Sequence, residues 1–329
     1  MQAIVLVGGE GTRLRPLTET VPKPALTLVD RPFLAYMIEW LAGHGVSEVV
    51  LACGFLPDVL REALAGEEER AGVSITYVVE PERRGTAGAI RFAADELGER
   101  LEDRFLALNG DVLTDLDLTA LLRAHEEQGA GATIALHPVE DSAAYGLVRS
   151  GEGGVVEAFI EKTGEAVAGE INAGMYVLER SVLDLIPPDE EVSIERDVFP
   201  RLVGEGLYGL RLDGYWMDIG TPKRYLQASW DILEDRVETR VEATAPGTLI
   251  AADAEVAAGA TVGPRVVLGP GCQVESGAAI AASVLLDGCA VGEGAVVRGS
   301  ILSSGVTVPA GAVLNDAVLG EDERVAADA

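Results

Sequence analysis

Residues 3–7 are five consecutive apolar positions that run straight into Gly8-Gly9, the pattern of a short buried strand ending in a loop. Similar apolar runs at 48–53, 75–79 and 105–108 predict strands. The segments 33–41, 56–64 and 89–97 carry apolar residues at helical spacing. Strands alternating with helices predict an α/β domain whose largely parallel sheet is covered on both faces. In such sheets ligands sit at the carboxyl ends of strands, where the Gly8 loop, the Gly85 loop and Asp111 all fall. After a predicted helix at 116–128, the pattern predicts less regular strands at 133–138, 146–149, 155–161 and 171–178. Ser193-Ile194-Glu195-Arg196 predicts a helix with an acidic first turn, ending near Gly204. A strand at 207–212 and a compact turn at 215–220 follow. Thr221-Pro222 then open a long helix to about 238, with the cap and first-turn proline of a helix start.

From Ala245 the pattern changes. Ile250, Val256, Val262, Leu268, Val274, Ile280 and Leu286 recur every sixth residue, and Val296, Leu302, Val308 and Leu314 continue in shifted register. That spacing suits neither an amphipathic helix nor an alternating strand. It predicts a three-sided parallel β-helix, left-handed, with a short loop protruding between Leu286 and Val296. Stacked coils need covered ends, for which the helix before the repeats and the polar tail after Gly320 are candidates. The expected domains are residues 1–240 and 245–329.

Composition narrows the function. A 48% apolar content over 329 residues supports a sizeable core, and a net charge of −29 repels nucleic acid and anionic membranes. No signal peptide or membrane-spanning run is expected. Cys53, Cys272 and Cys289 have no metal-like spacing, so the protein is expected to be cytoplasmic. Against this acidic background, Arg13, Arg15 and Lys23 gather on the first loop. Lys23, Lys162 and Lys223 are the only lysines among 25 basic residues. The first two are candidate phosphate ligands and the third a helix-surface residue.

The loop reads Gly8-Gly9-Glu10-Gly11-Thr12-Arg13-Leu14-Arg15-Pro16, with Lys23 between Pro22 and Pro24. Glycines let backbone N–H groups close on an anion. The string is not a Walker A loop, and Leu14 stands where a dinucleotide fingerprint needs its third glycine. It resembles the signature of the sugar-phosphate nucleotidylyltransferases, and the resemblance extends over nearly the whole chain. It implies a Rossmann-like three-layer catalytic domain followed by the hexapeptide β-helix. It also implies nucleotide contacts at Gly8, Gly9, Gly11, Thr12, Arg13 and Lys23, and base contacts at Glu80, Gly85, Thr86 and Gly88. Asp111 and Asp218 match the ligands of Mg²⁺, and Arg13, Lys23, Asp111 and Asp218 together are the candidate catalytic residues. Sugar-phosphate contacts match Tyr145, Gly146, Glu161, Lys162, Asn172 and Gly174.

The residue types suit that chemistry. A sugar 1-phosphate is already a dianion near neutrality, since its second pKa is about 6, so attack on the α-phosphorus of a triphosphate needs no general base. The obstacle is repulsion between two polyanions, which cations and positioning offset. His44, His125 and His137 can be bystanders. Ile171-Asn172-Ala173-Gly174-Met175-Tyr176, Ser193-Ile194-Glu195 and Trp216-Met217-Asp218-Ile219-Gly220 look most like mannose-1-phosphate guanylyltransferases, which implies GTP as the triphosphate. One departure is Thr163, where that family has proline after Glu-Lys. Glucose-1-phosphate thymidylyl- or uridylyltransferase activity, and a non-catalytic regulatory subunit, are the alternatives. A solenoid acyltransferase would need a histidine base, and none follows His137. The solenoid is expected to be structural, its flat apolar flank serving homo-oligomer contact or a regulatory surface.

Overall fold

A computed structural model describes residues 1–143, 145–160 and 167–325. The chain divides into two compact units, Met1–Gly9 with Met37–Trp216, and Glu10–Tyr36 with Met217–Ala329.

In the first unit the strand Gln2–Leu6 lies between Glu48–Cys53 and Arg104–Asn109, parallel to both. Ala3, Ile4 and Val5 are fully buried, which is why the strand reads as an unbroken apolar run rather than an alternation. The sheet order is Val156–Ile160, Leu147–Ser150, Gly169–Glu179, Arg104–Asn109, Gln2–Leu6, Glu48–Cys53, Ser74–Val79. Ala132–Val139 joins it antiparallel to Gly169–Glu179 and carries Leu207–Arg211 parallel on its other side. The predicted irregular strands are thus the antiparallel part of one mixed sheet.

The helix expected at 89–97 begins earlier, at Gly85. Ala87, Ile90, Ala93, Ala94 and Leu97 face the core with Phe105 and Tyr176. The segment opened by Ser193 is a π turn, Ile194–Val198, running into the short helix Phe199–Leu202, and the Ser193 hydroxyl accepts from the Arg196 N–H.

In the second unit, Glu10–Tyr36 contains two 3-10 turns, Thr12–Leu14 and Lys23–Ala25, and the antiparallel pair Thr27–Leu28 and Arg31–Pro32. The expected turn at 215–220 is instead a short strand, Trp216–Asp218. The helix Pro222–Leu233 has the predicted Thr221 cap but stops well before 238.

The repeats build three parallel sheets, one of five strands and two of four. Leu268, Leu285, Leu302 and Leu319 stack in one sheet, Val256, Val274, Val291 and Val308 in the second, and Ile280, Val297 and Leu314 in the third. The residues in register are therefore Leu285 and Val297, not Leu286 and Val296. The spacing shortens by one at a single corner, where Ala282, Gly299 and Asp316 adopt positive φ of 48°, 59° and 51°. Arg265, at the same corner one coil earlier, also has positive φ (58°), but there Val262 to Leu268 keeps the six-residue spacing. The loop expected between Leu286 and Val296 is absent, because Ala290–Val291 holds the ladder through that stretch.

At the same corner the Ser283 hydroxyl accepts from the Ser300 N–H, and the Ser300 hydroxyl accepts from the Ala317 N–H, each at 3.1 Å. The tail after Gly320 extends the prism: Arg324 bridges to Thr307, and Val325 packs on the solenoid core.

Candidate active site

In the first unit, the carboxyl edge of the sheet gathers several of the predicted residues. A Cβ on Gly54, which follows Glu48–Cys53, would lie 3.0 Å from the Gly8 carbonyl, so these two loops touch backbone to backbone. A Cβ on Gly8 would come within 3.6 Å of a Glu80 carboxylate oxygen, which places Glu80 beside the loop. Burial raises the Glu80 pKa, and the Arg84 charge works against that rise. Gly110 donates its N–H to the Leu6 carbonyl at 2.9 Å, and a side chain there would strike Val7 at 2.6 Å. That contact fixes the start of the Asp111 loop against the first strand.

Gly85 and Gly88 serve packing. Gly85 has φ +68°, and a Cβ on it would meet the Val192 carbonyl at 2.5 Å. The Ala87 and Gly88 N–H groups both donate to that carbonyl, at 2.9 and 3.3 Å. The first-turn donors that would otherwise attract an anion are therefore partly engaged by the chain itself.

Thr86 faces the carboxylate of Glu195, which the sequence shows both in an acidic helix start and in the Ser193-Ile194-Glu195 string. Glu195 Oε2 accepts from the Thr86 hydroxyl at 3.1 Å and from the Ser193 hydroxyl at 2.9 Å, while Oε1 accepts from Tyr176 at 3.2 Å. The Tyr176 oxygen in turn accepts from Asn172 Nδ2 at 2.9 Å, and Asn172 Oδ1 accepts from the Gly174 N–H at 2.8 Å. Residues expected on the base side and on the sugar side thus share one network. The Ser193-Ile194-Glu195 string marks Glu195 in the sequence, but its partners Thr86 and Tyr176 lie far from it in the chain.

Among the residues expected on the sugar side, the Tyr145 ring packs edge-on against Trp216 at 5.5 Å, and Trp216 stacks on His137 at 5.7 Å. Trp216 Nε1 donates to the Ala173 carbonyl at 2.9 Å. Burial lowers the His137 pKa. Gly146 lies where a Cβ would sit 3.3 Å from the Ile160 carbonyl. Glu161 and Lys162 lie outside the described residues.

The second unit holds the other predicted residues. Gly11, at φ +60°, precedes the Thr12–Leu14 turn, and a Cβ on it would lie 3.1 Å from Lys23 Cβ. Lys23 is only 8% exposed, so the Gly11-Thr12 turn packs on the Pro22-Lys23-Pro24 turn. A Cβ on Gly220 would fall 2.8 Å from an Arg13 guanidinium nitrogen and 3.4 Å from an Asp218 carboxylate oxygen. Arg13, Gly220 and Asp218 are thus neighbours. Arg224 also ion-pairs with Asp218. Arg224 went unnoticed in the sequence, although its place in the first turn of the Thr221-capped helix could have pointed to it. Lys223 is exposed, as a helix-surface residue should be.

A model of nucleotidyl transferases matches residues 2–235. The chain belongs to the nucleotidyl transferase family. It is an enzyme of that type, with a Rossmann-like α/β nucleotidyltransferase domain followed by a β-helix of three parallel sheets. Residues 244–329 match a model described as the GMPPB C-terminal domain. Among relatives of this nucleotidyl transferase, mannose-1-phosphate guanylyltransferase of Mycobacterium tuberculosis is 39% identical over 301 residues, covering 85% of this chain and 83% of that one. A probable mannose-1-phosphate guanylyltransferase of Oryza sativa is 38% identical over 294 residues, covering 87% and 81%. Among solved structures, HddC from Yersinia pseudotuberculosis aligns with a TM-score of 0.62 and 27% identity, covering 70% of this chain and 99% of that one. The same protein complexed with GMP-PN aligns with a TM-score of 0.61.

Proposed function

We propose that this nucleotidyltransferase uses GTP and mannose 1-phosphate to make GDP-mannose and pyrophosphate. A phosphate oxygen of the sugar 1-phosphate attacks the α-phosphorus of GTP. The new P–O bond forms as the bond from the α-phosphorus to the bridging oxygen breaks, and pyrophosphate leaves with that electron pair. The observation that carries this reading is the clustering of Arg13, Gly220 and Asp218, with Lys23 packed under the Gly11 turn. Cations placed by backbone contacts suit a reaction whose main obstacle is charge repulsion. The choice of guanine and mannose is supported by the names of the relatives.

In this reading Arg13 stabilises the leaving pyrophosphate, Lys23 the α-phosphate, and Lys162 the incoming phosphate. The Gly8-Gly9 backbone cradles the triphosphate. No proton has to be removed from the nucleophile. His44 is bonded to Thr119, and His125 to Thr133 and Glu179.

Mg²⁺ is the cofactor we assign, with Asp111 and Asp218 to hold it and charge neutralisation as its contribution. Among the described residues no three His, Cys, Asp or Glu side chains form a ready-made metal cluster. Mg²⁺ does not need one, because it is commonly bound by one or two carboxylates together with substrate phosphates and water. Hard carboxylate oxygens suit that ion.

Cytoplasmic residence accords with free, buried Cys53, Cys272 and Cys289. No described helix is long and apolar enough to cross a membrane. Contact between copies through the solenoid flank is checked by sedimentation, which is expected to show a species larger than one chain.

Pyrophosphate release across a panel of triphosphates and sugar 1-phosphates with Mg²⁺ tests the substrate assignment. The highest kcat/KM is expected for GTP with mannose 1-phosphate. Preference for thymidine or uridine triphosphate with glucose 1-phosphate would replace it.

A further inference from the structure

The Glu195 network has a direction. A carboxylate only accepts hydrogen bonds, so both hydroxyls facing Glu195 Oε2, and the Tyr176 hydroxyl facing Oε1, must donate to it. Tyr176 is fully buried, and burial reinforced by the Glu195 charge holds its phenol neutral. With its single proton committed to Glu195, the Tyr176 oxygen can only accept. It therefore selects the NH₂ end of Asn172, and the Asn172 carbonyl must face the Gly174 N–H. Gly174, at φ +74°, is pressed against Asn109 so closely that a Cβ would lie 2.7 Å from its amide nitrogen. Asn109 is two residues before Asp111. The charge on one carboxylate thus sets the orientation of an amide two hydrogen bonds away, at the register shift within the strand Gly169–Glu179, which pairs with the Asn109 strand.

We propose that Glu195 is a positioning residue for the sugar-phosphate side of the site: by accepting from Tyr176 it fixes the Asn172 amide in one orientation and holds the irregular 172–174 stretch of the strand Gly169–Glu179 in shape for mannose 1-phosphate. The inference rests on the proposed reaction only for the identity of that substrate. Glutamine at 195 breaks the directional logic while keeping the size. Its NH₂ can donate to Tyr176, whose proton then turns to Asn172, and the flipped amide sets NH₂ against the Gly174 N–H.

The test is steady-state kinetics on Glu195→Gln, Tyr176→Phe and the double variant. Each single variant is expected to raise the KM for mannose 1-phosphate about tenfold, the scale of one hydrogen bond to a charged group. For Tyr176→Phe, which leaves the Thr86–Glu195 bond in place, the KM for GTP should stay within about twofold. Because both act through the same amide, the double variant should be no worse than the more severe single one. Fold-changes that multiply in the double variant, or a GTP KM that rises in Tyr176→Phe as much as the sugar-phosphate KM, would overturn the proposal. If Glu195→Gln does not fold, Tyr176→Phe decides alone, since it keeps the buried ring. An unchanged sugar-phosphate KM then refutes the relay. Absence of turnover in the unaltered protein would instead count against the reaction itself.

Discussion

Replacing Gly9 by alanine adds one methyl group where a Cβ would meet no heavy atom within 4 Å and where the backbone is not left-handed. The fold gives no reason for a glycine at this position. Removing glycine's freedom from the unfolded chain should leave stability unchanged or raise it by up to about 1 kcal/mol. The proposed function does give a reason, because the Gly8-Gly9 backbone must approach a triphosphate. Loss of one charge-assisted contact, about 1.5–3 kcal/mol, corresponds to roughly a 10- to 100-fold fall in kcat/KM for GTP.

Gly85→Ala is the contrasting case. There the added Cβ would sit 2.5 Å from the Val192 carbonyl at φ +68°. Left-handed strain of about 1–2 kcal/mol and overpacking of about 1–3 kcal/mol should lower stability by about 2–5 kcal/mol. Urea unfolding and pyrophosphate release measured on the same preparations separate the two effects. Gly9→Ala with activity within twofold of the unaltered protein, or with a stability loss above about 1 kcal/mol, would refute the assignment of the loop.

Three further outcomes follow from single contacts. Ser283→Ala removes the acceptor for the buried Ser300 N–H and should cost about 1–3 kcal/mol, read by urea unfolding; no shift would mean that the serine stack at the short corner is incidental. Asp111→Asn should abolish turnover at all Mg²⁺ concentrations while leaving the unfolding midpoint nearly unchanged, and retained activity would place the metal elsewhere. Burial lowers the His125 pKa from 6.5 in the unfolded chain, so the unfolded state binds more protons as pH falls through and below that value. The His125 contribution is fully present above pH 6.5 and is lost as pH falls through its lowered folded value. His125→Gln should flatten this part of the pH dependence of the unfolding midpoint, and an unchanged slope would locate the titration in another group.

The sheet was legible because its strands are buried on both faces, so Ala3-Ile4-Val5 and Phe105-Leu106-Ala107-Leu108 stand out as unbroken apolar runs. The six-residue repeat was equally plain, but its register was not. Nothing in local composition marks Ala282 as a left-handed corner in the way a glycine would, and Leu285 and Leu286 are adjacent equals by hydrophobicity. The start of the Gly85 helix was missed because glycines signal loops. Gly85 there is pressed against the Val192 carbonyl and Gly88 against the Glu190 carbonyl, contacts distant in sequence. Arg13, Lys23 and Asp218 were readable from type and motif. Glu195 and Tyr176 stood inside motif strings, but their bonds to each other and to Thr86 were not readable, because the partners are distant in sequence; nor was the Arg224 pair with Asp218, since an arginine in a first helical turn is commonplace.

Nucleotidyl transfer from GTP to mannose 1-phosphate is open to ³¹P NMR of the full chain with both substrates and Mg²⁺. The resonances of GDP-mannose and pyrophosphate should grow together in equal amounts as both substrates disappear. Unchanged spectra, or GDP and orthophosphate in place of those products, would contradict it.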